Sequence, residues 1–553
     1  MGLTERRIGL LFAIFLVLLL TAAARATWLG GVRGKSLRAV ASTQQVDELK
    51  VPARRGTITD RKGIPLAVSQ PADDVAATPY LVKDKLKVAK QLAPLLGDSE
   101  ADVLAKLNAR SGFVYLSRSV SGAKSEQVRK LKIAGLQFIP SARRDYPRRW
   151  LASQVLGIVG IDGDGRTGLE YSSDKVLRGA DGRRRIVKDA LGQPIVLQDT
   201  ARARPGKDLK LTLDAELQGK VEDVLAQVGL AWRPKGATAL VMNPHSGKIL
   251  ALANWPRVDA NDLGGAPRYA SRNRAVAFNY EPGSTFKAFT VAAALQERLV
   301  TPTAIFNLPP SIRVADRVIE EAHARATVDL TTAQILAQSS NVGTVRIGLR
   351  LGGKRFDSWV RRFGFGRPTG VELPGEESGQ VLTLDKYSGS SMGNLPIGQG
   401  ESVTPMQLAT AYAAIANGGM MRRPRIVDSV GGAKSPTPRG RRVISTTTAA
   451  QLREMLAGVV EAGGTGSQAA IQGYSLAGKT GTANKIDSAT GTYSKTRFIA
   501  SFVGFAPARS PKLLVTVMVD EPHGAIYGSE VAAPAFQEIM LFALPYLGIP
   551  AGS

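Results

Sequence analysis

In Glu281-Pro-Gly-Ser284-Thr-Phe-Lys287-Ala-Phe-Thr290 a serine and a lysine stand three residues apart, directly after a Pro-Gly break. Residues i and i+3 share a helix face, so the Ser284 hydroxyl and the Lys287 amine can meet on one turn. A helix starting at Ser284 also aims free backbone N–H groups and a partial positive charge at that hydroxyl. Such a place suits an alkoxide nucleophile and the oxyanion it creates. Both residue types are common, and taken alone the pair more often reads as a capping serine followed by a surface lysine.

Two further motifs change that balance. Ser339-Ser-Asn341 lies inside a long helical pattern, with the turn-prone Asn341-Val-Gly343 after it, and Lys479-Thr-Gly-Thr482 directly precedes a β-rich run. Each is common by chance, but their conjunction in this order, roughly 55 and 140 residues apart, is specific. A serine hydroxyl is a poor nucleophile and needs an adjacent base. No histidine lies near the motifs, which leaves Lys287 as the candidate. To lose its proton at neutral pH a lysine must be desolvated or set beside another cation. Lys479 supplies that cation if its strand packs beside the helix. Ser339 can relay a proton to a leaving amine, and the Asn341 amide can hold a substrate carbonyl. The Lys-Thr-Gly strand offers an exposed edge for an extended peptide, with Gly481 allowing close approach. The Thr480 and Thr482 hydroxyls and the Lys479 ammonium suit a substrate carboxylate. The backbone N–H groups of Ser284 and Thr482 are the expected oxyanion hole.

The surrounding pattern predicts the elements that must position these groups. Leu209–Asp214 alternates like a strand, and a helix capped by Asp214 is expected over Ala215–Leu225. Gly236–Asn243 and Lys248–Ala253 read as a hairpin around the turn Pro244–Gly247. Helices are expected over Ser284–Leu299, Thr331–Leu351 and Met406–Asn417, then strands over Ile499–Gly504 and Leu513–Val519, and a last helix over Ala533–Leu544. Strands at both ends with helices between imply one α+β domain whose first and last strands share a sheet. Before it, about 51–205, lies a mixed α+β module with a hairpin at Thr57–Val68 and helical spacing over Leu81–Gly97, Glu100–Arg110 and Lys124–Leu136. Glu170 is the one acid there that attracts notice, and a structural salt bridge with a neighbouring arginine is its expected role.

The 553 residues suffice for two or three domains, and the net charge of +26 is unusual. The basic residues are scattered, among them Arg143, Arg144, Arg148 and Arg149, Arg183 to Arg185, and Arg439, Arg441 and Arg442. No nucleic-acid-binding signature accompanies them, so they read as a solvated surface and no nucleic-acid partner is expected. The absence of cysteine excludes disulfides, thiol catalysis and iron–sulfur clusters. His245, His323 and His523 lie too far apart for a helical metal pair, so no metal and no cofactor is expected. Ile8–Ala24 is nearly unbroken apolar sequence. It reads as an uncleaved anchor rather than a signal peptide processed at Ala22–Ala26, with the bulk of the chain on one side of a membrane.

The chain resembles a class B penicillin-binding protein, a membrane-anchored peptidoglycan D,D-transpeptidase. Ser284-Thr-Phe-Lys287, Ser339-Ser-Asn341 and Lys479-Thr-Gly481 match that family's three motifs, with Ser340 where aspartate can stand. Further likeness lies in Arg55-Gly-Thr-Ile-Thr-Asp60, Arg144-Asp-Tyr-Pro147, Gly168-Leu-Glu170, Gly398-Gln-Gly-Glu-Ser-Val-Thr-Pro405 and Phe498-Ile-Ala-Ser-Phe-Val-Gly-Phe505. The resemblance implies an antiparallel sheet with helices, as in the penicillin-binding and serine β-lactamase-like transpeptidase domain, over 206–548. It implies a pedestal like the family's dimerisation domain over 51–205, a linker over 28–50, a transmembrane anchor over 8–27 and a cytoplasmic head over 1–7. By similarity, Ser284 attacks the D-Ala–D-Ala bond of a stem peptide, an amine of a neighbouring stem completes the cross-link, and β-lactams acylate the same serine. The implied setting is the bacterial cell membrane with the catalytic domain outside. The implied partners are a polytopic glycosyltransferase and proteins of the division complex. The wording resembles septal members more than elongation-type ones. Hydrolysis, as a D,D-carboxypeptidase or β-lactamase, and a catalytically idle scaffold are the alternatives.

Overall fold

The computed structural model describes residues 2–33, 46–188, 194–487 and 490–552. The chain divides into two compact units, one of Met1–Arg54, Pro71–Ala142 and Gly179–Gly206, the other of Arg55–Gln70, Arg143–Arg178 and Lys207–Ser553. Two stretches of the region expected as the pedestal therefore pack with the catalytic motifs. Within the larger unit, Ile58–Thr59 pairs in parallel with Leu209–Leu211. Arg55 and Arg144 both bond the fully buried Glu170 carboxylate, at 2.6 and 2.7 Å. Glu170 is thus the ion-pair partner its sequence context suggested.

In the smaller unit the helix Gly2–Thr27 is exposed along its described side chains, and Arg6–Val32 is long and apolar enough to cross a membrane. Most of the linker expected over 28–50 falls on 34–45, outside the described residues. Its end is not linker: Val46–Val51 is a strand antiparallel to Gly182–Lys188. Helices Lys85–Leu96, Glu100–Leu107 and Gly122–Lys130 close over Val75, Leu92, Val103, Leu116 and Val128. The first starts later than its apolar spacing suggested, because Pro79–Leu81 forms a separate 3-10 turn and Asp84 caps the Lys87 N–H. The third stops at Lys130, since Lys132 takes φ +51° and a strand, Leu136–Asp145, follows.

After Leu209–Leu211 the larger unit continues in helix α1 (Ala215–Trp232), whose cap Asp214 accepts the Glu216 and Leu217 N–H groups. Strands β1 (Gly236–Met242) and β2 (Ile249–Trp255) form the expected hairpin. Then come α2 (Lys287–Gln296), α3 (Thr332–Ala337), α4 (Asn341–Leu351) and α5 (Pro405–Ala416). Strands β3 (Ala477–Ile486), β4 (Tyr493–Ala506) and β5 (Leu513–Asp520) precede the last helix, α6 (Gly528–Tyr546). Among the described residues these five strands form one antiparallel sheet in the order β2-β1-β5-β4-β3, so the hairpin and the last strands share a sheet, whereas Leu209–Leu211, read as the domain's first strand, pairs instead with Ile58–Thr59 and Val427–Val430.

Side chains alternate across a strand, and both faces of this sheet are covered. Ala239 and Val241 of β1 join the core beneath α1 and α6, with Val221, Leu225, Val517 and Phe536. Leu240 and Met242 join the other core, with Phe286, Phe289, Tyr412 and Met518. That second core seats α2 and α5 against the sheet. β3 is left at the edge, beside the turn that opens α2.

Candidate active site

Ser284 sits in a 3-10 turn, Gly283–Phe286, that runs into α2. The turn is pinned from behind: Tyr412 Oη, fully buried on α5, donates to the Thr285 carbonyl at 2.6 Å. Gly283 adopts φ +52°, a region open to glycine, and a Cβ there would stand 2.8 Å from the Thr482 carbonyl. The turn and β3 therefore touch backbone to backbone, which brings Thr482 alongside the residue preceding Ser284.

Lys287 is fully buried. Its Nζ donates to the Ser339 carbonyl at 2.5 Å, to Ser339 Oγ at 3.2 Å and to Asn341 Oδ1 at 2.6 Å. Burial pushes its ammonium pKa down to about 7, against an opposing pull from the Glu321 carboxylate. An amine in that state exchanges its proton near neutrality, as a general base must.

The Ser339–Asn341 segment departs from the continuous helix expected over Thr331–Leu351. The helix breaks between α3 and α4, with Ser339 in the left-handed region at φ +58°. The cause is local capping. Ser340 Oγ accepts the Gly343 N–H at 3.0 Å and starts a new helix. Glu321, which sequence reasoning missed, accepts the Ser340 hydroxyl at 2.6 Å and the Asn341 N–H at 2.7 Å. The Asn341 amide also donates to the Glu320 carbonyl at 2.8 Å, which turns its oxygen toward Lys287. No nearby pattern points to Glu321, because it lies in the loop after the short strand Arg317–Glu320, far from Ser339 along the chain.

Lys479 is likewise fully buried on β3, with Nζ donating to the Thr480 carbonyl at 3.2 Å and to Thr480 Oγ1 at 3.3 Å. Burial, and then the charge of Lys287, hold its pKa well below the ordinary lysine value. The fall at Lys287 comes from burial, so the charge effect runs from Lys287 to Lys479 and not in the direction the sequence suggested. Thr480 is mostly buried and bonds Thr465 Oγ1 at 2.9 Å, whereas Thr482 is half-buried with its Oγ1 accepting the Gly528 N–H at 3.1 Å.

Gly481 is closely enclosed. A Cβ there would meet Ser501 Oγ at 2.4 Å and Thr285 Cγ2 at 2.8 Å. At Gly528 a Cβ would stand 2.4 Å from the Gly481 carbonyl and 2.3 Å from that of Ser501. The missing side chain of Gly481 thus admits the Ser284 turn on one side, while Gly528 sets the start of α6 against the strand. Gly528 too was missed; its signal was a glycine in the first turn of a helix read as starting only at Ala533. Glu281 fixes the other end of the turn, accepting the Gly400 N–H and the Tyr493 hydroxyl, each at 3.0 Å. Burial raises its carboxyl pKa against those bonds.

Residues 237–541 match the family model described as the penicillin binding protein transpeptidase domain, and 50–211 match the penicillin-binding protein dimerisation domain. The chain belongs to the penicillin-binding proteins, in the class B arrangement of a dimerisation domain followed by a transpeptidase domain. It is 35% identical to stage V sporulation protein D of Bacillus subtilis, over 98% of this chain and 85% of that one. It is 33% identical to the peptidoglycan D,D-transpeptidase FtsI of Escherichia coli, over 97% and 90%. Among solved structures it is similar to penicillin binding protein 3 of Mycobacterium tuberculosis complexed with aztreonam, with a TM-score of 0.73 and 30% identity over 92% of this chain and 98% of that one.

Proposed function

We propose that this chain is a membrane-anchored D,D-transpeptidase that cross-links peptidoglycan stem peptides through an ester on Ser284, in septal wall synthesis. The carrying observation is Lys287: a fully buried amine on three uncharged oxygens, one turn from Ser284, with a pKa near 7. Neutral Lys287 takes the Ser284 proton as Oγ attacks the carbonyl carbon of the penultimate D-Ala. The backbone N–H groups of Ser284 and Thr482 receive the oxyanion. As the C–N bond breaks, the proton passes by way of Ser339 and Lys479 to the departing D-Ala amine. An amine of a second stem then attacks the ester, forms the new amide and returns Ser284. Asn341 holds the acyl-donor backbone, Lys479, Thr480 and Thr482 serve the terminal carboxylate, and Gly481, enclosed by Ser501 and Thr285, contributes by seating the Ser284 turn on β3, along which the donor lies. A β-lactam takes the donor's place, its ring amide opening onto Ser284 while the amine stays tethered.

The apolar helix at the start supports anchoring in a bacterial cell membrane as a single pass, with the larger unit outside. The match at residues 50–211 supports a pedestal that meets other proteins, and the proposal extends to a polytopic glycosyltransferase and division-complex proteins as its partners.

The test is labelling of the full chain with a fluorescent penicillin, followed by peptide mapping. One adduct on Ser284, lost in Ser284→Ala with the fold retained, is the expected result. No adduct on Ser284 in folded protein sinks the reading.

A further inference from the structure

The basic residues read from sequence as a solvated surface are not all scattered. Arg367, Arg422, Arg423, Arg439 and Arg441 line one cavity of about 340 Å³ in the larger unit, and among the described residues no aspartate or glutamate lines it with them. That volume lies within the ~300–1,000 Å³ usual for small-ligand sites. Three chain segments converge to build it. Arg367 follows the helix Gly353–Arg362, and Arg422 and Arg423 follow the strand Met420–Met421. Arg439 and Arg441 arrive with the strand Arg441–Arg442, which pairs with Met420–Met421 so that Arg441 stands opposite Met421.

The charge there is poorly compensated. Burial, and then the charges of Arg367 and Arg362, depress the Arg441 pKa. Arg423 reaches the Glu372 carboxylate only at 4.0 Å, the limit of an ion pair, and the Glu376 carboxylate behind the wall is engaged by the Thr369 and Gly370 N–H groups and the Thr369 hydroxyl. Arg422 Nε is buried without a partner among the described residues, while its Nη1 donates to the Pro438 carbonyl at 2.7 Å. Arg441 Nη2 donates to the Arg362 carbonyl at 2.7 Å. Backbone carbonyls thus fix two guanidinium groups in place without neutralising them.

We propose that this cavity binds a multiply charged, phosphate-bearing anion. A guanidinium fork matches two phosphate oxygens at once. Five such cations in so small a volume call for more than one negative charge in compact form, which phosphate supplies and a single carboxylate does not. The site is separate from the Ser284 chemistry and stands whether or not that assignment holds.

The full chain in a nonionic detergent is titrated with inorganic pyrophosphate at low salt, with heat as the readout. The expected result is saturable binding at one site per chain that weakens as sodium chloride rises. The side chains of Arg367 and Arg439 carry no hydrogen bond or ion pair among the described residues, so R367Q/R439Q leaves the fold intact. It should weaken binding by about tenfold or more, equivalent to ~1.4 kcal/mol. R183Q/R185Q, with both residues exposed elsewhere, should not. A melting curve for R367Q/R439Q separates loss of the site from loss of the fold, and the single variants R367Q and R439Q are read if the pair melts early. Displacement of pyrophosphate by phosphatidylglycerol in mixed micelles assigns the ligand to a lipid headgroup; displacement only by water-soluble phosphate esters assigns it to a free phosphate compound. Absence of saturable heat, or equal binding by all variants, overturns the proposal.

Discussion

The Glu321 carboxylate accepts the backbone N–H of Asn341 at 2.7 Å, and the Asn341 side-chain oxygen accepts a hydrogen bond from Lys287 Nζ at 2.6 Å. Glu321 thereby sets the lysine in two ways: through the position of Asn341, and through its charge, which favours the ammonium. Glu321→Gln should slow acylation by penicillin about 10–100-fold, the equivalent of losing charge-assisted hydrogen bonds worth ~1.5–3 kcal/mol. It should also move the pH midpoint of acylation downward. Stopped-flow acylation across pH separates the two effects. A slower rate with an unmoved midpoint would leave Glu321 a purely structural role, and a wild-type rate would leave it none.

The depressed pKa of Lys287 makes both reactivity and stability depend on pH. Acylation needs the neutral amine, so its rate should rise with pH around a midpoint of about 7. For stability the sign follows from proton counts. Between about 7 and the ordinary lysine value of 10.5, the unfolded chain holds a proton on this lysine that the folded chain has released. Stability therefore rises with pH in that window, by up to ~1.4 kcal/mol per pH unit from this residue, and the contribution is flat below it. Urea unfolding at several pH values, compared with Lys287→Met, isolates the slope. An identical slope in the variant would place the lysine's folded pKa near its unfolded one.

The proposed site residues Ser284, Lys287, Ser339, Asn341 and Lys479 could be singled out in the sequence because the proposed chemistry depends on side-chain type, and type and spacing are visible in one dimension. The central strands were legible for a similar reason: Gly236–Met242 and Leu513–Asp520 are short apolar runs flanked by turns. The break at Ser339 was not. Apolar spacing runs on through Thr331–Leu351, and only the capping by Ser340, reinforced by a glutamate from a distant loop, interrupts it. The start of α6 was placed late because Pro534 lies inside that helix and hides its first turn. The arginine cavity was illegible for a comparable reason, since its residues come from segments far apart in the chain and only the fold assembles them.

Gly528 should tolerate no side chain. In Gly528→Ala the new Cβ falls 2.3 Å from the Ser501 carbonyl and 2.4 Å from the Gly481 carbonyl, both backbone atoms that cannot swing aside. The start of α6 must move off β3, and the bond from the Gly528 N–H to Thr482 Oγ1 goes with it. A loss of about 1–3 kcal/mol is expected from overpacking, with acylation slowed even in the molecules that remain folded. Thermal melts and penicillin labelling of the same samples check this. Unchanged labelling per folded molecule would mean that β3 keeps its geometry without the close approach.

Glu170 should matter for stability and not for chemistry. Its carboxylate is fully buried between Arg55 and Arg144, which are 6% and 5% exposed in their side chains, and Asp174 pairs with Arg55, at 2.6 Å, and accepts the Gly165 N–H at 2.8 Å. Glu170→Gln keeps the shape but leaves the Arg144 guanidinium buried without a carboxylate. Breaking one side of a buried ion pair is strongly destabilising, by about 3–5 kcal/mol. Penicillin labelling per folded molecule should stay at the wild-type level, because among the described residues neither the Ser284 turn nor β3 bonds to this cluster. Replacing Arg144 and Glu170 together by methionine removes both charges, so it should recover part of the loss. If the double variant were as unstable as Glu170→Gln, the defect would lie in lost packing, and the buried charge would not be its cause.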